Sequence, residues 1–199
     1  MSGDDTSGLV GGPIKRNGAK GRVAHLLVPY FAPAKVYAEA FFGAGSVFYR
    51  IPPGTYEREA VNDLDASLVT FFRVLRDPAL RADLVEACRL TPYARDEFDA
   101  AYEPTDDPLE RARRTCVRAA MGFGSAGATK ATTGFRTDTR RKYGTAQHNW
   151  ADYPAALGEI GERFAGVLIE NRDAVEVIQA HDGADTCTSL IPHTCTTRA

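Results

Sequence analysis

The stretch from Val36 to Phe48, Val-Tyr-Ala-Glu-Ala-Phe-Phe-Gly-Ala-Gly-Ser-Val-Phe, runs from an apolar segment into a glycine turn, and an acid, Asp63, follows twenty residues after Gly43. An apolar strand, a glycine turn, an amphipathic run and an acid at that distance make half of a nucleotide-binding βαβ unit. The chain is thereby confined to α/β folds that bind at the carboxyl ends of parallel strands. Glu39 stands just before the glycines, where a dinucleotide-binding protein would bring a pyrophosphate. A carboxylate there repels phosphate and attracts a cation. The third glycine of the dinucleotide fingerprint is also missing, its place taken by Phe48. S-adenosylmethionine fits this pattern, since it carries an ammonium, a sulfonium and a ribose without phosphates. Glu39, Phe42, Gly43, Gly45, Ser46, Asn62 and Asp63 are the candidate cofactor-binding residues of this segment. Asp63 can accept from both ribose hydroxyls, and Asn62 or Asp65 can cap the helix that follows. We favour the ligand for Asp63 and the cap for Asp65.

Charge is distributed unevenly along the chain. From Arg111 to Trp150 nine basic residues face one acid, so this segment carries +8 against −10 for the remainder. Its second half mixes glycine, threonine, arginine and aromatic residues without helical or strand period and reads as a polar loop able to order on a polyanion. Alone, such a basic run is a solvated surface; placed in a DNA-acting enzyme, its Lys130, Arg136, Arg140, Arg141 and Lys142 become the candidates for phosphate or base contacts.

Hydrophobic residues make up 44% of the chain, enough for one sizeable core, and no apolar run approaches the ~20 residues that cross a bilayer. The leader over residues 1–12 reads as a disordered tail, no secretory signal is expected, and a cytoplasmic location follows. Cysteines at 88, 116, 187 and 195 have no Cys-x-x-Cys spacing, and histidines at 25, 148, 181 and 193 form no ligand pair. No metal site, structural disulfide or Ser-His-Asp nucleophile is expected. Helices are predicted at 65–76, 79–90, 95–102, 108–121, 154–164 and 174–180, the first on the spacing of Leu68, Phe71, Phe72 and Leu75. Val167 opens a further buried strand.

Taken together, these motifs resemble the Dam-like DNA adenine-N6 methyltransferases, especially their phage and prophage members, over most of residues 13–186. The segment Pro13-Ile14-Lys15-Arg16-Asn17-Gly18-Ala19-Lys20 is similar to the family's N-terminal cofactor motif, and the resemblance adds Lys15, Gly18 and Lys20 to the cofactor site. The family's Glu-Pro-Phe before the glycines reads Glu39-Ala40-Phe41 here, with Phe42 next. Gly166 to Asp173 looks like the next cofactor strand. By analogy Asp173 accepts from the cofactor's adenine amine; capping of the helix from Ala174 is an equal alternative. The implied fold is α/β: a Rossmann-like S-adenosylmethionine-dependent methyltransferase core, incomplete, with a helical, basic target-recognition insertion. Residues 13–76 and 151–186 would form the core, and 77–150 the insertion that meets double-stranded DNA.

The resemblance also implies a strand ending in Asp-Pro-Pro-Tyr shortly after Asp173, whose aspartate and proline carbonyl orient the amine of a flipped adenine. The chain does not contain it. When each codon is read one base earlier, the junctions Leu190/Ile191, Ile191/Pro192, Pro192/His193 and His193/Thr194 can encode Asp, Pro, Pro and Tyr or His. The expectation is a frameshift near codon 186 or 187, an aberrant tail over 187–199, and a truncated, impaired enzyme. An inactive DNA-binding remnant, or a methyltransferase of RNA or protein amines, are the alternatives.

Overall fold

The structure, a computed structural model, describes residues 13–14, 23–123, 133–137 and 145–190. In chain order the elements are α1 (Ala24–Leu27), a 3-10 turn (Val28–Tyr30), β1 (Val36–Glu39), a 3-10 turn (Phe48–Arg50), β2 (Arg58–Asn62), α2 (Ala66–Arg76), α3 (Pro78–Leu90), α4 (Arg95–Ala100), α5 (Pro108–Met121), α6 (Ala146–Glu162), β3 (Leu168–Glu170), α7 (Ala174–His181) and β4 (Thr186–Ser189). The four strands form one sheet, in the order β3-β2-β1-β4, and every pairing is parallel.

This order reverses direction once. The chain steps from β1 to β2 to β3, then returns to the far side of β1 as β4. A reversal of that kind leaves a crevice beyond the carboxyl ends of the strands that flank it, because the connections leave in opposite directions. Glu39 ends β1 and Ser189 ends β4, opposite one another in register, so the sequence places its unusual acid at this crevice.

The helices start where short polar side chains can take orphan N–H groups. Asp65 accepts from the backbone N–H of Ser67 and Leu68, and Asp77 from those of Ala79 and Leu80, with Pro78 at the first helical position. Asp107 and Pro108 repeat the arrangement at α5. Leu68, Phe71, Phe72 and Leu75 are all fully buried, as a core-facing stripe requires. One buried cluster runs from Tyr37 and Val61 through Leu84, Cys116 and Trp150 to Ile169, so α3 to α6 share a continuous core with the sheet.

Three local expectations change. The amphipathic run after the glycines forms only the 3-10 turn Phe48–Arg50. Phe48 packs on Tyr37, Phe42 and Phe164, and burying this aromatic group takes precedence over a long helix. Helix α6 starts at Ala146 and carries Pro154 in its interior. A proline was read as a helix start, but Thr145 and His148 already form a reciprocal cap two turns earlier. Residues 187–189, expected to belong to an aberrant tail without strand character, pair with β1 as part of β4. Backbone pairing with the open edge of β1 requires no apolar side chain, and threonine is at home on a pleated surface. Lys15, Gly18 and Lys20, residues 124–132 and 138–144 of the expected basic loop, and the stretch from Ile191 onward lie outside the described residues.

Candidate functional site at the carboxyl edge of the sheet

Strand alternation brings Tyr37 and Glu39 to one face. The Tyr37 hydroxyl donates to Glu39 Oε2 at 2.8 Å, and both residues are buried. Burial pushes the Glu39 carboxyl up to about 8; the Tyr37 hydrogen bond opposes that, and the nearby Asp63 charge adds to it. Burial also drives the Tyr37 phenol well above its ordinary range, so it stays a donor. Burial thus disfavours the ionised carboxyl, and a positive charge placed beside it would favour that form. Tyr37 is absent from the sequence-derived site, although its i, i+2 spacing from Glu39 on a strand is a signal for it.

The glycine turn follows directly. Gly43 and Gly45 take φ of +56° and +72°, backbone that L side chains rarely adopt. A Cβ on Gly45 would stand 2.7 Å from Phe42 Cζ and 2.9 Å from Tyr49 Cε2. The turn is pinned to β2 by Asp63, whose Oδ2 accepts from Gly43 N–H at 2.8 Å while Oδ1 accepts from Asp65 N–H at 2.9 Å. One acid thus holds together the two loops that flank the crevice.

Other residues of the expected site are committed elsewhere. Phe42 is buried in the aromatic core against Phe48, Phe72 and Phe164. Its ring supports the turn from below, because the core needs its area. Ser46 is buried in the same turn. Asn62 donates to the carbonyls of Ala40 and Arg172, each at 3.1 Å, and accepts from Arg172 N–H at 2.9 Å. Both its N–H donors clamp the loop after β3 to the loop after β1. Asp173 is exposed and caps α7 through Val175 N–H at 2.8 Å, the capping alternative. Among the described residues no group of three or more His, Cys, Asp or Glu could hold a metal ion, and Cys88, Cys116 and Cys187 are free thiols.

Of the expected DNA-binding residues, Arg136 alone is described. Its N–H donates to Met121 O at 2.8 Å and its carbonyl accepts from the Tyr93 hydroxyl at 2.9 Å, which fixes the returning strand against the end of α5. Lys130, Arg140, Arg141 and Lys142 lie outside the described residues. Basic residues of α5 divide into two groups. Arg113 is consumed by Glu110 and Glu97, whereas Arg111, Arg114 and Arg118 line a cavity beside Ser67.

A parallel sheet with its reversal at β1, an acid at the end of that strand, a glycine turn and a second acid after β2 define a Rossmann-like core. The family model for D12 class N6 adenine-specific DNA methyltransferases matches residues 17–181, and the chain belongs to that family. Its reaction is N6 methylation of adenine in DNA, with a methyl donor as co-substrate. Among curated proteins none matches the chain. No described helix is long and apolar enough to cross a membrane.

Proposed function

We propose that this chain binds S-adenosylmethionine in the crevice between β1 and β4 and presents it to an adenine in double-stranded DNA. The observation that carries the reading is the buried Glu39, hydrogen-bonded to Tyr37 at the sheet's reversal, next to a glycine turn tied to Asp63. Bound there, the cofactor supplies an electrophilic methyl on a sulfonium centre. The ionised Glu39 carboxylate would attract the cofactor's positive charge, with the Tyr37 hydroxyl holding Oε2 in place. Asp63 would receive the ribose hydroxyls while keeping the Gly43 N–H. The cramped Gly45 lets the backbone come close to the ligand, since any larger residue would collide with Phe42 and Tyr49. Lys15, Gly18, Lys20 and Asp173 belong to the same proposal on the resemblance alone. Isothermal calorimetry of the cofactor, followed by transfer of labelled methyl to unmethylated duplex DNA, tests it. Absence of cofactor binding would defeat the reading, and preference for RNA in a competition assay would redirect it.

A second reading is favoured by the carboxyl end of β4. Ser189 lies opposite Glu39, and Leu190-Ile191-Pro192-His193 follow where the family's resemblance places Asp-Pro-Pro-Tyr. Leucine cannot accept a hydrogen bond from an adenine amine, so cofactor and DNA would bind with little methyl transfer. Binding without turnover in the same assays identifies this state, and resequencing the coding DNA across codons 180–199 decides whether a lost base produced it. Turnover at the rate of an intact family member would refute it.

A further inference from the structure

Arg111, Arg114 and Arg118 recur at i, i+3 and i+7 on α5 and so share one face. With Ser67 in the first turn of α2 and the segment Tyr102 to Thr105, they line a cavity of about 210 Å³. Two of the three guanidiniums build its wall. Arg111 donates to the Thr105 carbonyl through Nε at 3.2 Å and Nη2 at 2.7 Å. Arg114 donates to the Glu103 carbonyl at 2.6 Å and to Glu110 at 2.6 Å. The carbonyl bonds hold the loop before α5 against the helix, while Glu110 and Asp106 offset the charges of Arg114 and Arg111.

Arg118 is different. Its guanidinium lies 5.8 Å from the centre of the Tyr102 ring, and its one hydrogen bond within the described residues is a long 3.4 Å contact to Thr115 Oγ1. Its Nε is buried without a partner. Asp65, the cap of α2, pulls on the charge from a distance, while burial weakens it. A guanidinium stays charged at any ordinary pH, and a charge held partly out of water with donors unused is costly unless an anion completes it. Ser67, which lines the cavity, lies four residues past Asp63 in the first turn of α2.

We propose that this cavity receives one backbone phosphate of the DNA, with Arg118 as the residue that hooks it. The planar fork of a guanidinium suits a phosphate's two free oxygens, and Ser67 lines the same cavity. A phosphate held there would fix the register of the duplex relative to the methyl donor without reading any base. The inference rests on the reading of the chain as a DNA-binding methyltransferase.

The test is duplex-DNA binding by the full chain and by R118Q and R118K, measured by anisotropy across a salt series on two unrelated sequences. The salt slope of R118Q is expected to fall by about one unit, with an equal loss on both sequences, while R118K keeps the slope. Cofactor affinity should not change in either variant. If the unaltered chain binds no duplex, both the DNA reading and this inference fail; if it binds and R118Q keeps its slope, the phosphate hook alone fails. Should R118Q prove unfolded, titration of inorganic phosphate into the unaltered chain decides: a saturable shift of the Arg118 Nε–H resonance supports the site, and no shift overturns it.

Discussion

Replacing Glu39 by glutamine should uncouple cofactor binding from pH. In the ligand-free protein burial raises this carboxyl from an ordinary 4.5 to about 8. Among the described residues, Tyr37 on its own strand and Asp63 beyond β2 act on this carboxyl, with Ser189 opposite on β4, and none of these three is a cation. At pH 7 about one molecule in ten would carry the ionised form that a cation needs, which weakens the apparent affinity about tenfold, or about 1.4 kcal/mol. Affinity for S-adenosylmethionine should therefore rise about tenfold per unit from pH 6 to pH 8 and then level off. Calorimetry at pH 7 in buffers of different ionisation heat should register release of about one proton. The cofactor's own amino group also titrates near pH 8, but it does so equally with E39Q, so the difference between the two proteins isolates Glu39. Stability follows the opposite direction. A carboxyl whose pKa is raised by folding contributes stability below pH 4.5 that is lost as pH rises through about 8. E39Q should thus be the more stable protein above pH 8, by on the order of a few kcal/mol, while binding cofactor more weakly there. Identical pH profiles of affinity for the two proteins, or no difference in proton release, would refute the reasoning.

Arg163 and Glu59 form a bidentate pair at 2.6 and 2.7 Å with side chains only 12% and 10% exposed, and Arg163 also covers the Phe48 ring at 3.8 Å. R163A leaves Glu59 buried and unpaired and should cost about 3–5 kcal/mol in denaturant unfolding, whereas a loss below about 1 kcal/mol would show the pair to be solvated. G45A forces a Cβ into Phe42 and Tyr49 at a φ of +72°; it should destabilise by more than about 1 kcal/mol and weaken cofactor affinity, both read from thermal shifts with and without ligand. Glu110 is held down to about 2 by hydrogen bonds from Arg113, then Arg114. Its contribution is present above pH 4.5 and lost as pH falls toward 2, so E110Q should flatten the acid limb of the stability curve, and an unchanged limb would assign it to other carboxylates.

The parts of this fold that were legible in the sequence are those set by local chemistry. Asp65, Asp77 and Asp107 begin their helices because each is a short acceptor at a place where N–H groups lack partners. Leu68, Phe71, Phe72 and Leu75 fall inward because a 3.6-residue period leaves one face for the core. Glu39, Gly43 and Asp63 meet because strand, turn and strand have fixed lengths and parallel strands align their carboxyl ends. What stayed hidden depends on partners remote in sequence. Asn62 looks like a ligand contact until Arg172, brought in by β3, takes its amide. Phe42 looks like part of a binding turn until Phe164, beyond the insertion, closes over it.

The arginines of α5 give the sharpest case. By composition Arg111, Arg113, Arg114 and Arg118 are equivalent cations in a basic segment, and the expected DNA contacts fell on the loop after them. Tertiary structure makes them unequal. Glu97 and Glu110 neutralise Arg113, backbone carbonyls and Glu110 occupy Arg111 and Arg114, and the buried Nε of Arg118 has no partner among the described residues. The +8 carried between Arg111 and Trp150 would draw a duplex at long range, where every cation counts alike. At contact only an uncompensated guanidinium gains from meeting a phosphate, because the others would first have to release an existing partner. The same reasoning sets an order for mutational effects on DNA affinity: R118Q should cost more than R113Q, although R113Q breaks more hydrogen bonds within the protein and should cost more in stability.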